Sequence, residues 1–179
     1  MKSWKILSSQ IIHKNPRFSV REDKVIRNDG RNRVYYVIDK PSCVAIIALT
    51  KKQEIFLIHQ ARYTTRKSHW EIPIGSSDDQ DELVAAKREL HEETGLISSD
   101  WVKLGKVEVA PGMTGQMMHV FVARNLTETS ENEQAEEGID KMRKIPLKKV
   151  LEMVEKNEIV DGPTIAAFML TVLKLKRFT

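Results

Sequence analysis

Residues 88–96 read Arg-Glu-Leu-His-Glu-Glu-Thr-Gly-Leu and close a stretch, residues 81–93, whose spacing predicts a helix. On a helical wheel Glu82, Glu89, Glu92 and Glu93 fall within about 100° of one another. Leu83 and Leu90 form the adjacent stripe that would dock the helix. Ser77, Asp78 and Asp79 are suited to the N-cap, and Gly95 stands where a C-terminal glycine belongs. Like charges three and four residues apart repel by roughly 0.2–0.5 kcal/mol per pair. Three of these four also crowd the helix C-terminus, the wrong end for anions. A solvated surface helix tolerates both penalties. The sharper reading is a hard divalent cation such as Mg²⁺, held by carboxylate oxygens. Arg88 lies beside Glu92, where a bidentate bond would orient a carboxylate.

Upstream of this helix the chain reads as β. Residues 6–12 and 18–26 are rich in β-branched side chains, and residues 33–38 form a return strand after Asn28-Asp29-Gly30, a strong hairpin signal. Pro41 breaks the chain. Residues 43–49 are continuously apolar, as expected of a strand buried on both faces. Lys51-Lys52-Gln53 makes a turn from which residues 54–59 would pair back. Downstream, residues 101–109 and 117–123 read as strands, and the acidic stretch 127–138 as an exposed loop. Pro146 opens a short helix with Leu147, Val150, Leu151 and Val154 on one face. Pro163 opens a last helix with Ile165, Phe168, Met169 and Val172 on one face. Lys174, Lys176 and Arg177 suit its C-terminal dipole. Irregular alternation of strands and helices gives an α/β fold, a mixed sheet with helices packed on it.

The chain has 179 residues, room for one domain or one domain with a small appendage, and at 41% apolar and 30% charged it has the composition of an ordinary globule. No apolar run is long enough to span a bilayer. The first residues lack the pattern of a secretory signal. The single cysteine, Cys43, excludes an internal disulfide and a cysteine-rich zinc site. These features favour a reducing, cytoplasmic setting. The net charge of +4 is unevenly spread: 15 Lys/Arg against 5 Asp/Glu in residues 1–70, 5 against 16 in 71–140, and 9 against 4 in 141–179. No nucleic-acid motif accompanies the basic segments, which argues against a nucleic-acid partner.

Residues 88–96 resemble the second half of the Nudix box, R-E-U-x-E-E-x-G-U with U aliphatic, at every specified position. Trp-Glu-Ile-Pro-Ile-Gly at 70–75 resembles the run that leads into that box. Gln60-Ala61-Arg62 resembles the end of the preceding strand in ADP-ribose pyrophosphatases, and Pro111 stands sixteen residues beyond Gly95, as in that subfamily. Trp4-Lys5-Ile6-Leu7-Ser8-Ser9 and the Asp-Gly hairpin look like its N-terminal sheet. The resemblance covers nearly the whole chain, with a degenerate box. It implies a Nudix-type α/β/α sandwich over residues 41–179 and an N-terminal antiparallel β segment over residues 1–40 that mediates dimerisation.

The resemblance implies Mg²⁺-dependent hydrolysis, with Mn²⁺ as the alternative ion, of the pyrophosphate bond in ADP-ribose or a related nucleoside diphosphate sugar. By position, Glu89, Glu92, Glu93 and the carbonyl of Ile74 would hold metal, with Glu92 a further ligand or the base. Glu136 or Glu137 would be an additional ligand. Arg62, Glu71, Trp4, Gly112 and Met113 would contact substrate, Trp4 either by stacking on adenine or, like Trp70, by packing. His59, His69, His91 and His119 have no metal-like spacing. Two departures stand out. Gln80 replaces the first glutamate of the box in a loop one residue short. Gln116 occupies a catalytic loop position that is commonly glutamate in the subfamily, and an amide cannot take up a proton at neutral pH. The alternative is a catalytically impaired module that binds such a nucleotide as a sensor or regulator.

Overall fold

The computed structural model describes residues 4–175. Lys176 and Arg177, expected at the last helix terminus, lie outside the described residues. The chain divides into two compact units, one comprising residues up to Pro41 with Glu108–Met117, the other Ser42–Val107 with the chain from Met118 onward.

The first unit is an antiparallel sheet of β1 (Lys5–Lys14), β2 (Ser19–Ile26) and β3 (Asn32–Asp39) in that order. The β2–β3 hairpin forms as its Asp-Gly signal predicts. Gly30 takes φ +79°, which a side chain would oppose, and its N–H donates to the Arg27 carbonyl. Every residue of β1 is exposed. Its pairing with β2 slips between Ile6 and Ser8 and again between Ile11 and His13, so Leu7 and Ile12 are bulged. The Glu108–Met117 segment is tied to β3: the Ile38 N–H donates to the Met113 carbonyl (2.8 Å) and the Tyr35 hydroxyl to the Gly112 carbonyl (3.1 Å).

The second unit contains β4 (Cys43–Ala48), β5 (Glu54–Arg62), β6 (Lys67–Glu71), β7 (Ile74–Ser76), α1 (Glu82–Thr94), β8 (Leu96–Glu108), β9 (Met117–Glu128), β10 (Ile139–Pro146), α2 (Leu147–Glu155) and α3 (Gly162–Leu175). A mixed sheet has the order β7-β4-β9-β8, with β4 and β9 parallel from Cys43↔Met118 to Ala48↔Ala123. Alternation along β4 divides the core between its faces. Cys43, Ala45 and Ile47 pack with Val150, Met153, Ala167 and Phe168 of α2 and α3. Val44, Ile46 and Ala48 pack with Ala85, Ala86 and Leu90 of α1. Helices thus cover both faces of a strand buried throughout.

Several sequence expectations are corrected. Residues 54–59 do not pair back on β4 beyond one bridge, Leu49↔Ile55; β5 instead lies between β10 and β6 in a second sheet. A turn of this length permits a strand to leave its sheet as readily as to return. Strands β6, β7 and β10 carry too little alternation to be read, and β8 begins at Leu96, directly after the α1 C-cap. Leu151 and Met169 are exposed, while Met153 and Ala167 are buried in their stead. Strand β9 runs on to Glu128, into the stretch expected to be loop.

The α1 cap is neither Ser77, Asp78 nor Asp79 but Asp81, whose Oδ1 accepts from the N–H groups of Leu83 (3.0 Å) and Val84 (3.2 Å). Gly95 closes the helix at φ +68°. The Asp81→Ala chain should lose about 1 kcal/mol, lowering its melting temperature by roughly 2–4 °C. Calorimetry at pH 7 checks this.

Candidate functional site

The second unit brings Glu89, Glu92 and Glu93 on α1 beside β7 and the end of β5. Strand β7 pairs with β4, Ile74 opposite Ala45 and Gly75 opposite Val44. The docking of Ala85, Ala86 and Leu90 turns the Glu89 and Glu93 face of the helix toward it. Glu89 is 8% exposed and Glu93 3%. The Ile74 N–H donates to Glu93 Oε2 at 3.0 Å. A Cβ on Gly75 would stand 1.8 Å from the Glu89 carboxyl carbon, so the side chain lies directly over this glycine. Glycine is required here by that close approach.

Arg88 organises the rim. Its guanidinium stands 2.8 Å from Glu89 Oε1, donates to Glu92 Oε2 at 2.7 Å and to the Ser76 carbonyl at 2.9 Å, and reaches Asp78 Oδ2 at 3.4 Å. Asp78 and Asp79 both adopt positive φ, +45° and +60°, in the loop before α1. Gln80 is exposed at its end.

Burial, despite the Arg88 ion pair, raises Glu89 to about 7; the neighbouring charges of Glu92 and Glu137 add to the shift. Burial and the charge of Glu89 hold Glu93 well above the usual carboxylate range, against the Ile74 N–H and the Arg62 guanidinium. The charge of Glu137 thus bears on both carboxylates. The acidic loop that carries it is fixed: the Glu133 N–H donates to the Glu92 carbonyl (2.7 Å), and Gln60 Nε2 to the Glu137 carbonyl (2.8 Å).

Among the described residues no three acidic, histidine or cysteine side chains converge to hold an ion as they stand. Arg88 draws Glu89 and Glu92 to itself, and Glu93 turns to the Ile74 amide. The donor set nonetheless suits a hard divalent cation: carboxylate oxygens, two of them buried at a cost that a cation would offset. Glycine at 75 keeps the space above the strand for the Glu89 carboxylate. Gly75→Ala should fold, because only the end of the flexible Glu89 side chain must move. Displacing that carboxylate should reduce any rise in melting temperature that a divalent cation gives the wild-type chain.

Arg62 and Glu71 form a bidentate pair, Nη2 to Oε2 at 2.6 Å and Nε to Oε1 at 3.1 Å. Glu71 is 2% exposed and the Arg62 side chain 38%, so the carboxylate anchors a guanidinium with one edge free. Asp161, at the start of α3, and Glu93 also act on Arg62.

Trp4, Gly112, Met113 and Gln116 belong to the first unit. Trp4 packs edge-on to Tyr35 at 5.6 Å and lies beneath Arg27. Gln116 Nε2 donates to the Pro41 carbonyl at 2.8 Å. Trp70 packs against the core of the second unit. The histidines have local partners: His59 with Asp140 (2.6 Å), His69 with Thr65, His91 with Thr129 and His119 with Glu82 (3.5 Å). Sequence reading missed Asp78, Asp161 and the close approach at Gly75. Only the fixed spacing of Gly75 before the helix hinted at the last.

A profile of the NUDIX domain matches residues 39–168, and one described as the nucleoside diphosphate sugar hydrolase N-terminal domain matches residues 4–38. An ADP-ribose pyrophosphatase of Mycobacterium tuberculosis is 31% identical over 166 residues, 91% of this chain and 80% of that protein. An ADP-ribose pyrophosphatase of Bacillus subtilis is 29% identical over 157 residues, 87% of this chain and 83% of that protein. A crystal structure of an ADP compounds hydrolase superposes with a TM-score of 0.86 at 23% identity, over 98% of this chain and 96% of that one. At that identity the likeness speaks for the fold.

Proposed function

The chain belongs to the Nudix family, and from that premise we propose that it hydrolyses the pyrophosphate bond of ADP-ribose or a related nucleoside diphosphate sugar, with Mg²⁺ or Mn²⁺ as cofactor. Its fold is the Nudix α/β/α sandwich with an N-terminal antiparallel sheet. The observation that carries the proposal is the pair of buried carboxylates, Glu89 and Glu93, set against Ile74 and Gly75. Two relatives that align with most of the chain are ADP-ribose pyrophosphatases.

A pyrophosphate linkage is doubly anionic, and a bound divalent cation supplies the charge neutralisation its cleavage needs. In this reading Glu89, Glu93 and the Ile74 carbonyl hold the ion, with Glu92 and Glu137 completing its surroundings. Glu92, ion-paired at the rim by Arg88, takes the proton of the attacking water. Arg62, fixed by Glu71, presents its free edge to a substrate phosphate. Trp4, Gly112 and Met113 are further substrate contacts in this reading. The single cysteine supports a reducing, cytoplasmic setting in this reading. Among the described residues no helix is long and apolar enough to cross a membrane.

The test is phosphate release, with a coupling phosphatase, from ADP-ribose, ADP-glucose, UDP-glucose, NADH and diadenosine polyphosphates in excess Mg²⁺ and then Mn²⁺. Turnover of ADP-ribose at about 1 s⁻¹ or more is expected. Gln80 and Gln116 favour a second reading, a nucleotide sensor. That reading predicts no turnover, with ADP-ribose still raising the melting temperature.

We also propose a homodimer through the N-terminal sheet. Ile6, Leu7, Ile11 and Ile12 of β1 are all exposed, an apolar strand that a second copy would cover. Light scattering should give a dimer for the wild-type chain and a monomer for the Ile6→Asp, Ile11→Asp double variant. A monomeric wild type at micromolar concentration removes this proposal.

A further inference from the structure

We propose that Gln116 is a positioning residue, whose side-chain amide fixes the 109–116 loop to the carbonyl of Pro41, and that it does not activate water. The inference rests on the hydrolytic reading above only for its kinetic arm.

The loop is held at both ends and in its middle. The Val109 N–H donates to the Gln116 carbonyl (3.2 Å), closing the base. The N–H groups of Met113 (2.9 Å) and Thr114 (3.0 Å) both donate to the Ala110 carbonyl, folding the tip. The Gln116 N–H donates to Thr114 Oγ1 at 3.0 Å. From β3 come the Ile38 N–H to the Met113 carbonyl and the Tyr35 hydroxyl to the Gly112 carbonyl. Gln116 Nε2 adds a side-chain bond from this loop to the segment after β3, 2.8 Å to the Pro41 carbonyl.

That bond requires a donor at position 116. An ionised carboxylate offers only acceptors and would face another acceptor at the same distance. The glutamine is thus a specific requirement of this loop and more than the loss of an acid. Because the loop carries Gly112 and Met113, loosening it should act on substrate binding before it acts on the chemical step.

Three full-length chains separate the alternatives: wild type, Q116A and Q116E. Q116A should raise KM for ADP-ribose about fivefold with kcat within about twofold, the scale of one lost neutral hydrogen bond. Q116E should behave like Q116A at pH 8. As the pH falls and its introduced carboxyl protonates, that group becomes a donor again, and its KM relative to wild type should return toward unity. Q116A should show no such recovery. A gain of tenfold or more in kcat for Q116E would overturn the proposal, since it would mean that an acid at this position activates water. KM values equal to wild type at every pH would overturn it too. Amide exchange followed by NMR at pH 8 gives a readout that needs no turnover. The Ile38, Met113 and Thr114 amides should exchange about tenfold faster in both variants, and unchanged rates would overturn the tether. Should the wild-type chain hydrolyse none of the substrates, the hydrolytic reading fails while the exchange rates still decide the role of Gln116.

Discussion

Glu92→Gln is expected to fold as the wild-type chain does and to lose about 10²–10⁴ in kcat on ADP-ribose, the usual cost of removing a general base. The substitution is close to isosteric. The amide oxygen still accepts the Arg88 bond that now measures 2.7 Å. The Glu92 carbonyl still accepts from the Glu133 N–H, so the helix end and the acidic loop keep their connection. The side chain is a quarter exposed, so no cavity or buried amide results. What disappears is the capacity to take a proton. Circular dichroism and melting should be unchanged while turnover collapses. Turnover within threefold of wild type would remove Glu92 from the chemistry and leave Glu137, whose charge acts on the same carboxylates, as the next candidate base.

The second large effect runs in the opposite direction for stability. Glu89 titrates at about 7 in the folded chain, against about 4.5 when unfolded. The folded state therefore holds its proton more tightly than the unfolded state does. Its contribution is fully present below about pH 4.5 and is lost as the pH rises through about 7. Above that pH the ionised group costs the metal-free fold on the order of 3 kcal/mol. Glu89→Gln removes the charge while keeping the shape, so at pH 8 the metal-free variant should melt higher than wild type, and at pH 4 the two should coincide. Mg²⁺ should raise the melting point of wild type more at pH 8 than at pH 5, and barely affect the variant. Hydrolysis should be lost. A variant that melts lower than wild type at pH 8 would show that the Arg88 ion pair outweighs the burial of this carboxylate.

The helix and its acidic face were legible because two independent signals agreed: the angular clustering of Glu82, Glu89, Glu92 and Glu93, and the order of residue types from Arg88 to Leu96. The N-terminal hairpin was legible from Asp29-Gly30, since few residues tolerate that turn. The α1 cap was not, because Ser77, Asp78, Asp79 and Asp81 can all cap and all lie just before the helix, and only the two backbone N–H groups that Asp81 reaches distinguish it. Strands β6 and β7 were hidden because a three- or five-residue strand has too little period to read. The departure of β5 into a second sheet was hidden for another reason: its partner β10 lies some eighty residues away, and register between distant strands leaves no local mark. At the site, the carboxylates could be named from spacing. The rim could not, since the Asp78–Arg88 contact comes from a loop with two aspartates at positive φ, a conformation the sequence does not announce. Gln116 was visible as a departure, but its use as a donor to Pro41 could only be seen in three dimensions.

The two slips in the pairing of β1 with β2 bear on how the protein survives its own synthesis. This strand emerges from the ribosome before most of its fold exists, carries four exposed apolar side chains, and ends as the open edge of a sheet. A straight edge of that composition would recruit further strands without limit. Bulges at Leu7 and Ile12 break the ladder into short pieces and sharpen its twist, so that the edge offers no long, flat template. The same irregularity thus guards this exposed apolar edge against fibrous growth.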